Sequence, residues 1–200
     1  MVSIFIEGVL DEVVLRHIIK NKTRMEVAVA VSGKGKPYLR DKARQLNRSA
    51  QGYPVIVLAD LDNHEPCPAD TGRSWMGNAE ISQKFLLRFA VLSIEAWLLA
   101  DRIGLSEFLQ ISTENIPKEV ERINSPKVAL VNLARKSRSR TVRAALVPSA
   151  KSKAVVGPNY NDELSRFVMS RWNVDAAARS SRSLSKTILR IQELAAQLET

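Results

Sequence analysis

Two patterns of apolar residues alternate along the first hundred positions. Four short, continuous apolar runs predict buried strands, and they lie at residues 2–6, 26–31, 55–59 and 89–93. Between the runs, apolar residues at helical spacing predict helices, at residues 11–21, 37–49 and 79–87. A further helix is predicted to start with the sequence IEAWLLAD at residue 94. Continuous apolar strands separated by helices are typical of a parallel sheet covered on both faces.

The remainder of the chain is predicted to be helical. Its clearest element is the last helix, whose apolar stripe comprises Leu184, Ile188, Ile191, Leu194 and Leu198. We therefore expect an α/β core at residues 1–105, with a parallel four-stranded sheet and helices on both faces. Residues 106–200 are expected to form a basic helical part, packed on that core because no Gly-rich linker separates the two.

The composition narrows the class of protein. With 45% hydrophobic and 26% charged residues, the chain can bury a core and does not have the composition of a disordered protein. No apolar run approaches the roughly 18 residues that span a bilayer, so no membrane partner is expected. A single cysteine, Cys67, excludes an internal disulfide and a Cys-rich zinc site. We expect a cytoplasmic location.

The net charge of +9 lies in one part of the sequence. Residues 1–115 carry 14 Lys and Arg against 14 Asp and Glu, whereas residues 116–200 carry 16 against seven. This asymmetry favours a surface that binds a polyanion such as DNA or RNA; the alternative is a solvated surface. The candidate nucleic-acid-binding residues are Lys34, Lys36, Arg135, Lys136, Arg138, Arg140, Arg143, Lys151 and Lys153.

Four carboxylates follow predicted strands. Glu7 comes after the first strand, Asp60 and Asp62 after the third, and Glu95 after the fourth. The carboxyl ends of parallel strands meet at one edge of a sheet, where ligands bind. Carboxylates this close would repel one another unless a divalent cation lay among them, and hard oxygen ligands suit Mg²⁺ or Mn²⁺. The sequence thus predicts a metal site.

The same residues carry a resemblance to a known family. The stretches IFIEGVLDEVVL at residues 4–15 and VIVLADLD at residues 55–62 resemble the two motifs of Toprim domains, which occur in topoisomerases, primases, recombination mediators and OLD-type nucleases. The resemblance implies that Glu7 is a general acid/base that also binds metal, and that Asp60 and Asp62 hold Mg²⁺. Toprim motifs often carry a further ligand after D-x-D, which here is either missing or supplied by Glu65.

A second likeness concerns residues further along the chain. IEAWLLADRIGLSEFL at residues 94–109 is similar to a group of uncharacterised bacterial Toprim-like proteins, as is GPNY at residues 157–160. That likeness implies a catalytic role for Glu95. It also implies a partner, because similar proteins are encoded beside ABC-type ATPases.

The expected function is Mg²⁺-dependent phosphodiester cleavage of DNA or RNA, in bacterial genome defence or repair, with an ABC-type ATPase as a candidate partner. One alternative is a non-catalytic module that binds nucleic acid or the ATPase. Another is an enzyme of small phosphorylated metabolites. ATP binding by a P-loop is excluded, because SGKGKPYLR at residues 32–40 lacks the required spacing.

Overall fold

The fold was analysed in a computed structural model, which describes residues 1–199. One sheet has four strands, β1 (Val2–Ile6), β2 (Val27–Val31), β3 (Val55–Leu61) and β4 (Phe85–Val91). The strands lie in the order β2-β1-β3-β4, and every neighbouring pair is parallel. The predicted α/β class with a parallel four-stranded sheet is confirmed.

Ten α-helices accompany the sheet in the described part of the chain. They are α1 (Val9–Lys22), α2 (Gly35–Ser49), α3 (Pro68–Met76), α4 (Ile94–Ala100), α5 (Arg102–Leu109), α6 (Pro126–Arg135), α7 (Arg140–Leu146), α8 (Tyr160–Ser170), α9 (Val174–Ser180) and α10 (Arg182–Glu199). The chain groups into two compact units. The first comprises residues 1–91 and 183–199, and the second comprises residues 92–182.

Helices cover both faces of the sheet in the first unit. On one face, Phe5, Val57 and Phe89 pack against α2 and α3, and the Trp75 ring meets the Phe89 ring edge-on at 5.1 Å between centroids. On the other face, the Arg88 guanidinium donates to Thr187 Oγ1 of α10 at 3.4 Å. Successive side chains of a strand point to opposite faces of the sheet, so each strand packs against the helices on both faces.

One predicted helix is wrong. Residues 79–87 were expected to be helical, but the helix before the fourth strand is α3, at Pro68–Met76, and β4 already begins at Phe85. Pro68 suits the first turn of α3, and the apolar anchors Trp75 and Met76 lie only at its end. The predicted strand at residues 89–93 overlaps the second half of β4, but β4 ends two residues earlier, at Val91.

The second unit is built around α4. All seven residues of this helix are buried, and the Trp97 carbonyl accepts a hydrogen bond from Trp172 Nε1 at 3.3 Å. Asp101, which is 1% exposed, accepts from the backbone N–H of Gly104 at 3.0 Å and of Asn173 at 2.8 Å. Asp101 therefore caps α5 and ties it to α9.

The boundary between the compact units differs from the predicted boundary at residue 105. Helices α4 and α5 group with the second unit, and α10 groups with the sheet. The reason is that α4 is buried by the helices that follow it, whereas Thr187 and Ser183 bond to β4. No helix within residues 1–199 has the length and apolar character that a bilayer crossing requires.

Candidate functional site

Glu7 and Asp60 meet at the carboxyl ends of the two central strands. Ile6, the last residue of β1, pairs with Leu58 of β3, so Glu7 leaves the sheet beside the end of β3. The backbone N–H of Asp60 donates to Glu7 Oε1 at 2.8 Å. The pairing of parallel neighbours thus brings the Glu7 carboxylate to the backbone of a residue 53 positions further along the sequence.

The environment of Glu7 changes the pKa of its carboxyl group. Burial raises the pKa of the Glu7 carboxyl above its ordinary value, and the nearby carboxylates of Asp62 and Glu65 act in the same direction. The Asp60 N–H and the Lys36 ammonium act against this shift without cancelling it. A carboxyl group with a raised pKa can exchange a proton nearer neutral pH, which suits general acid/base chemistry.

Asp62 and Glu65 form a closed turn just beyond β3. The Asp62 N–H donates to Glu65 Oε2 at 2.9 Å, and the Glu65 N–H donates to the Asp62 carbonyl, also at 2.9 Å. The turn holds the two carboxylates side by side. Glu65 therefore lies in the same cluster as Asp62.

Lys36 is the cation of this cluster. Its ammonium donates to Asp62 Oδ2 at 2.6 Å and also to Glu65 Oε2. Burial lowers the pKa of Lys36, but the hydrogen bonds to Asp62 and Glu65 outweigh it, so the pKa lies above the ordinary value. Lys36 therefore stays charged at neutral pH.

The loop before α2 delivers Lys36 to the carboxylates. Gly33 and Gly35 have φ angles of +75° and +74°, a left-handed backbone that glycine adopts without strain. Their N–H groups donate to the Glu7 carbonyl at 2.9 and 3.4 Å. This fixes the loop to the end of β1, with Lys36 in the first turn of α2.

The chemistry of the donors, four carboxylates at one sheet edge, suits Mg²⁺ or Mn²⁺. Their arrangement is that of an ammonium-bound cluster, because Lys36 engages Asp62 and Glu65. Within residues 1–199, no three His, Cys, Asp or Glu side chains are grouped as a ready-made metal site. Of the three residues predicted as metal ligands, Glu7, Asp60 and Asp62, the last is bound by the Lys36 ammonium.

Glu95 lies in the second unit rather than at the end of the fourth strand. Strand β4 ends at Val91, and Glu95 is the second residue of α4, where it is only 2% exposed. Its Oε1 accepts from the Tyr160 hydroxyl at 3.2 Å and lies 3.5 Å from Lys127 Nζ. Within residues 1–199, Glu95 Oε2 and Ser93 Oγ are the buried side-chain oxygens that lack a hydrogen-bond partner.

Tyr160 and Lys127 were missed as partners of Glu95. Burial, followed by the Glu95 carboxylate, raises the pKa of Tyr160, so its hydroxyl stays protonated and donates. The Tyr160 ring is 4% exposed and offers no face for stacking on a base. The resemblance of the GPNY stretch was the only indication in the sequence that Tyr160 belongs to the site. No feature of the sequence indicated that Lys127 lies beside Glu95.

Five of the candidate cations form a basic run at residues 135–143, around the turn between α6 and α7. Ser137 and Ser139 hold this turn together: Ser137 Oγ accepts from the Ser139 N–H at 3.2 Å, and Ser139 Oγ caps α7. Arg143 is half-buried and donates to the Ser137 carbonyl at 2.5 Å, so it is part of the turn. The exposed members of the run are Arg135, Lys136, Arg138 and Arg140.

The remaining candidate cations lie in loops. Lys151 and Lys153 are exposed in the connection between α7 and α8, and Lys34 is exposed two residues before the paired Lys36. The second unit as a whole has 15 Lys and Arg against nine Asp and Glu. Its surplus of positive charge is therefore carried by side chains that reach solvent.

Comparison of the chain with family models, with curated proteins and with solved structures finds no match. The likeness to Toprim domains rests on the sequence motifs alone. The function is accordingly argued from the carboxylates and cations themselves.

Proposed function

We propose that this chain cleaves phosphodiester bonds of DNA or RNA with Mg²⁺ or Mn²⁺, as a Toprim-like nuclease. The observation that carries the proposal is the position of the Glu7 carboxylate, which accepts from the Asp60 N–H at the ends of β1 and β3 and lies near the carboxylates of Asp62 and Glu65. Carboxylates are grouped at the edge where parallel sheets bind ligands.

Each residue of the cluster has a role in the proposal. Asp60 and Asp62, with Glu7, are the candidate metal ligands, and a bound metal ion would supply charge stabilisation to the scissile phosphate. Glu7, whose pKa is raised by burial, would accept or donate the proton that moves during hydrolysis. Glu95 is a candidate catalytic residue of the second unit, since its buried Oε2 has an unused acceptor.

The exposed cations of the second unit would hold the nucleic acid. Arg138 lies in the turn between α6 and α7, Arg140 is the first residue of α7, and Lys151 and Lys153 lie in an exposed loop. Contacts of this kind go to phosphate and position the backbone without reading the base sequence. The proposal therefore predicts cleavage with little sequence preference.

Nicking of supercoiled plasmid tests the proposal. We expect the wild type to nick DNA with Mg²⁺ or Mn²⁺ and to stop in EDTA, and Asp60→Ala/Asp62→Ala to lose at least about a hundredfold in rate, the cost typical of losing a charge-stabilising group. Asp41→Ala/Asp70→Ala, which removes two exposed carboxylates of the same unit, is the matched control. Full metal-dependent nicking by Asp60→Ala/Asp62→Ala would refute the assignment.

A second candidate function is a non-catalytic module that binds nucleic acid or an ABC-type ATPase partner. The observation that favours it is Lys36, whose ammonium binds both Asp62 and Glu65. This candidate predicts salt-sensitive DNA binding that EDTA leaves unchanged, and no nicking. Either function would suit bacterial genome defence or repair.

A further inference from the structure

A polar cleft of about 400 Å³ lies in the second unit, beside the turn between α6 and α7. Two of its lining side chains, Phe108 and Val142, are buried and apolar. Most of the others are polar or charged, among them Gln110, Thr141 and Arg166. The volume lies within the range of pockets that bind small ligands.

Arg166 provides a flat surface in this cleft. Its guanidinium lies over the Phe108 ring, with Cζ 5.2 Å from the ring centroid. The Arg166 Nε donates to Glu163 Oε2 at 3.2 Å, and a second guanidinium nitrogen donates to Glu163 Oε1. Two bonds to one carboxylate fix the plane of a guanidinium group. One side of this plane is covered by Phe108, and 54% of the Arg166 side chain remains exposed.

We propose that the cleft binds an unpaired nucleobase of a single-stranded nucleic acid, which stacks on the exposed side of the Arg166 guanidinium. The inference rests on the proposed function and names its substrate class. Unpaired bases stack on guanidinium planes as they do on aromatic rings, whereas the bases of a duplex are stacked on one another.

The basic run lies next to the cleft in the chain. Thr141 and Val142 line the cleft, and Arg138 and Arg140, just before them, have exposed side chains. Guanidinium groups of this kind suit the phosphates of a strand whose base is in the cleft. Because every base has a π face, stacking on Arg166 tolerates any sequence, which agrees with the expected lack of sequence preference.

Binding of two labelled single strands, measured by fluorescence anisotropy in EDTA, tests the proposal. One strand carries bases, and the other has the same number of phosphates but abasic sugars throughout. We expect the wild type to bind the strand with bases at least about fivefold more tightly, which is the lower end of what stacking of one base contributes. Phosphate contacts alone would give equal affinities.

Arg166→Lys keeps the positive charge but removes the planar group. We expect this variant to bind the two strands with nearly equal affinity, and its salt dependence to match that of the wild type. Arg190→Lys is the matched control, because Arg190 also pairs with a glutamate three positions further on and is also 54% exposed, but lies in α10 of the first unit. It should keep the full preference for bases. Circular dichroism shows whether both variants are folded.

The outcomes separate this inference from the nuclease proposal. Equal binding of the two strands by the wild type, no binding of either, or an unchanged preference in Arg166→Lys would overturn the base-binding cleft. Plasmid nicking that persists beside such a result would leave the nuclease proposal standing. Base-dependent binding without nicking would support the cleft and refute cleavage. Tighter binding of free adenosine monophosphate than of the strand would overturn a single strand as the ligand.

Discussion

Glu12 illustrates how single residues set ionisation states near the carboxylate site. Ser32 Oγ donates to Glu12 Oε2 at 2.8 Å, and Arg16 Nε donates to Oε1 at 2.9 Å. Burial acts to raise the pKa of Glu12, but these hydrogen bonds lower it below the ordinary value of 4.5. The folded state therefore prefers the carboxylate. That preference adds stability above pH 4.5 and is lost as the pH falls through the lowered folded pKa.

Glu12→Gln should consequently destabilise the protein in a pH-dependent way. At pH 7 we expect a loss of less than about 1 kcal/mol, because the pair with Arg16 is partly exposed. The difference from the wild type should shrink as the pH falls below 4.5. Urea unfolding followed by circular dichroism at pH 7 and pH 3 measures it. Glu80→Gln is the exposed control, and an undiminished deficit for Glu12→Gln at pH 3 would contradict the argument.

The part of the candidate site that depends on strand ends could be predicted from the sequence. Glu7 and Asp60 both follow apolar runs, and the parallel pairing of β1 with β3 places the two residues at the same edge of the sheet. The partners that depend on side-chain reach could not be predicted, because nothing local marks them. Lys36 binds a residue 26 positions away, and Tyr160 binds one 65 positions away.

At the scale of elements, continuous apolar runs predicted strands well but said little about burial. Strand β2 is the edge of the sheet, and its VAVAV side chains are half-buried or exposed. Its small alanines and valines satisfy the strand pattern at either a central or an edge position. Helix α3 was not predicted because its buried apolar residues lie at its C-terminal end and do not recur at helical spacing along it.

The connection from α7 to α8 requires a glycine at position 157. A Cβ built on Gly157 would lie 2.2 Å from the Ala145 carbonyl oxygen and 2.6 Å from the Leu146 carbonyl carbon, both backbone atoms. The Gly157 N–H also donates to the Leu146 carbonyl at 2.9 Å. This close approach packs the loop on α7 just before α8 begins at Tyr160, so it helps to place the hydroxyl that meets Glu95.

Gly157→Ala should therefore destabilise the second unit by roughly 3 kcal/mol or more, the upper part of the range for overpacking, since backbone cannot move aside as a side chain can. Thermal unfolding followed by circular dichroism measures the effect. Gly52→Ala is the matched control, because its Cβ would lie 3.8 Å from the nearest atom, the Ser49 carbonyl oxygen. Equal melting temperatures for the two variants would show that the loop relaxes freely.

At the scale of the whole molecule, the positive charge is unevenly shared between the units. The first has 15 basic and 12 acidic residues, and the second has 15 and nine. Neither surplus is large, so under the proposed function the exposed position of the basic side chains, rather than the total charge, would decide where a nucleic acid binds. The turn with Arg138 and Arg140 concentrates exposed guanidinium groups on a segment whose own hydrogen bonds come from serines.

The salt dependence of DNA binding distinguishes phosphate contacts made by Arg138 and Arg140 from a general attraction by the net charge of the protein. Each phosphate contact contributes roughly 0.9 to the slope of log affinity against log salt concentration, so Arg138→Ala/Arg140→Ala should reduce that slope by about 2. The control, Arg40→Ala/Arg48→Ala, removes two exposed charges from α2 in the first unit and should leave the slope unchanged. Fluorescence anisotropy with a labelled duplex across a salt series provides both slopes. Equal reductions would mean that the net charge of the protein, rather than the α6–α7 turn, holds the nucleic acid.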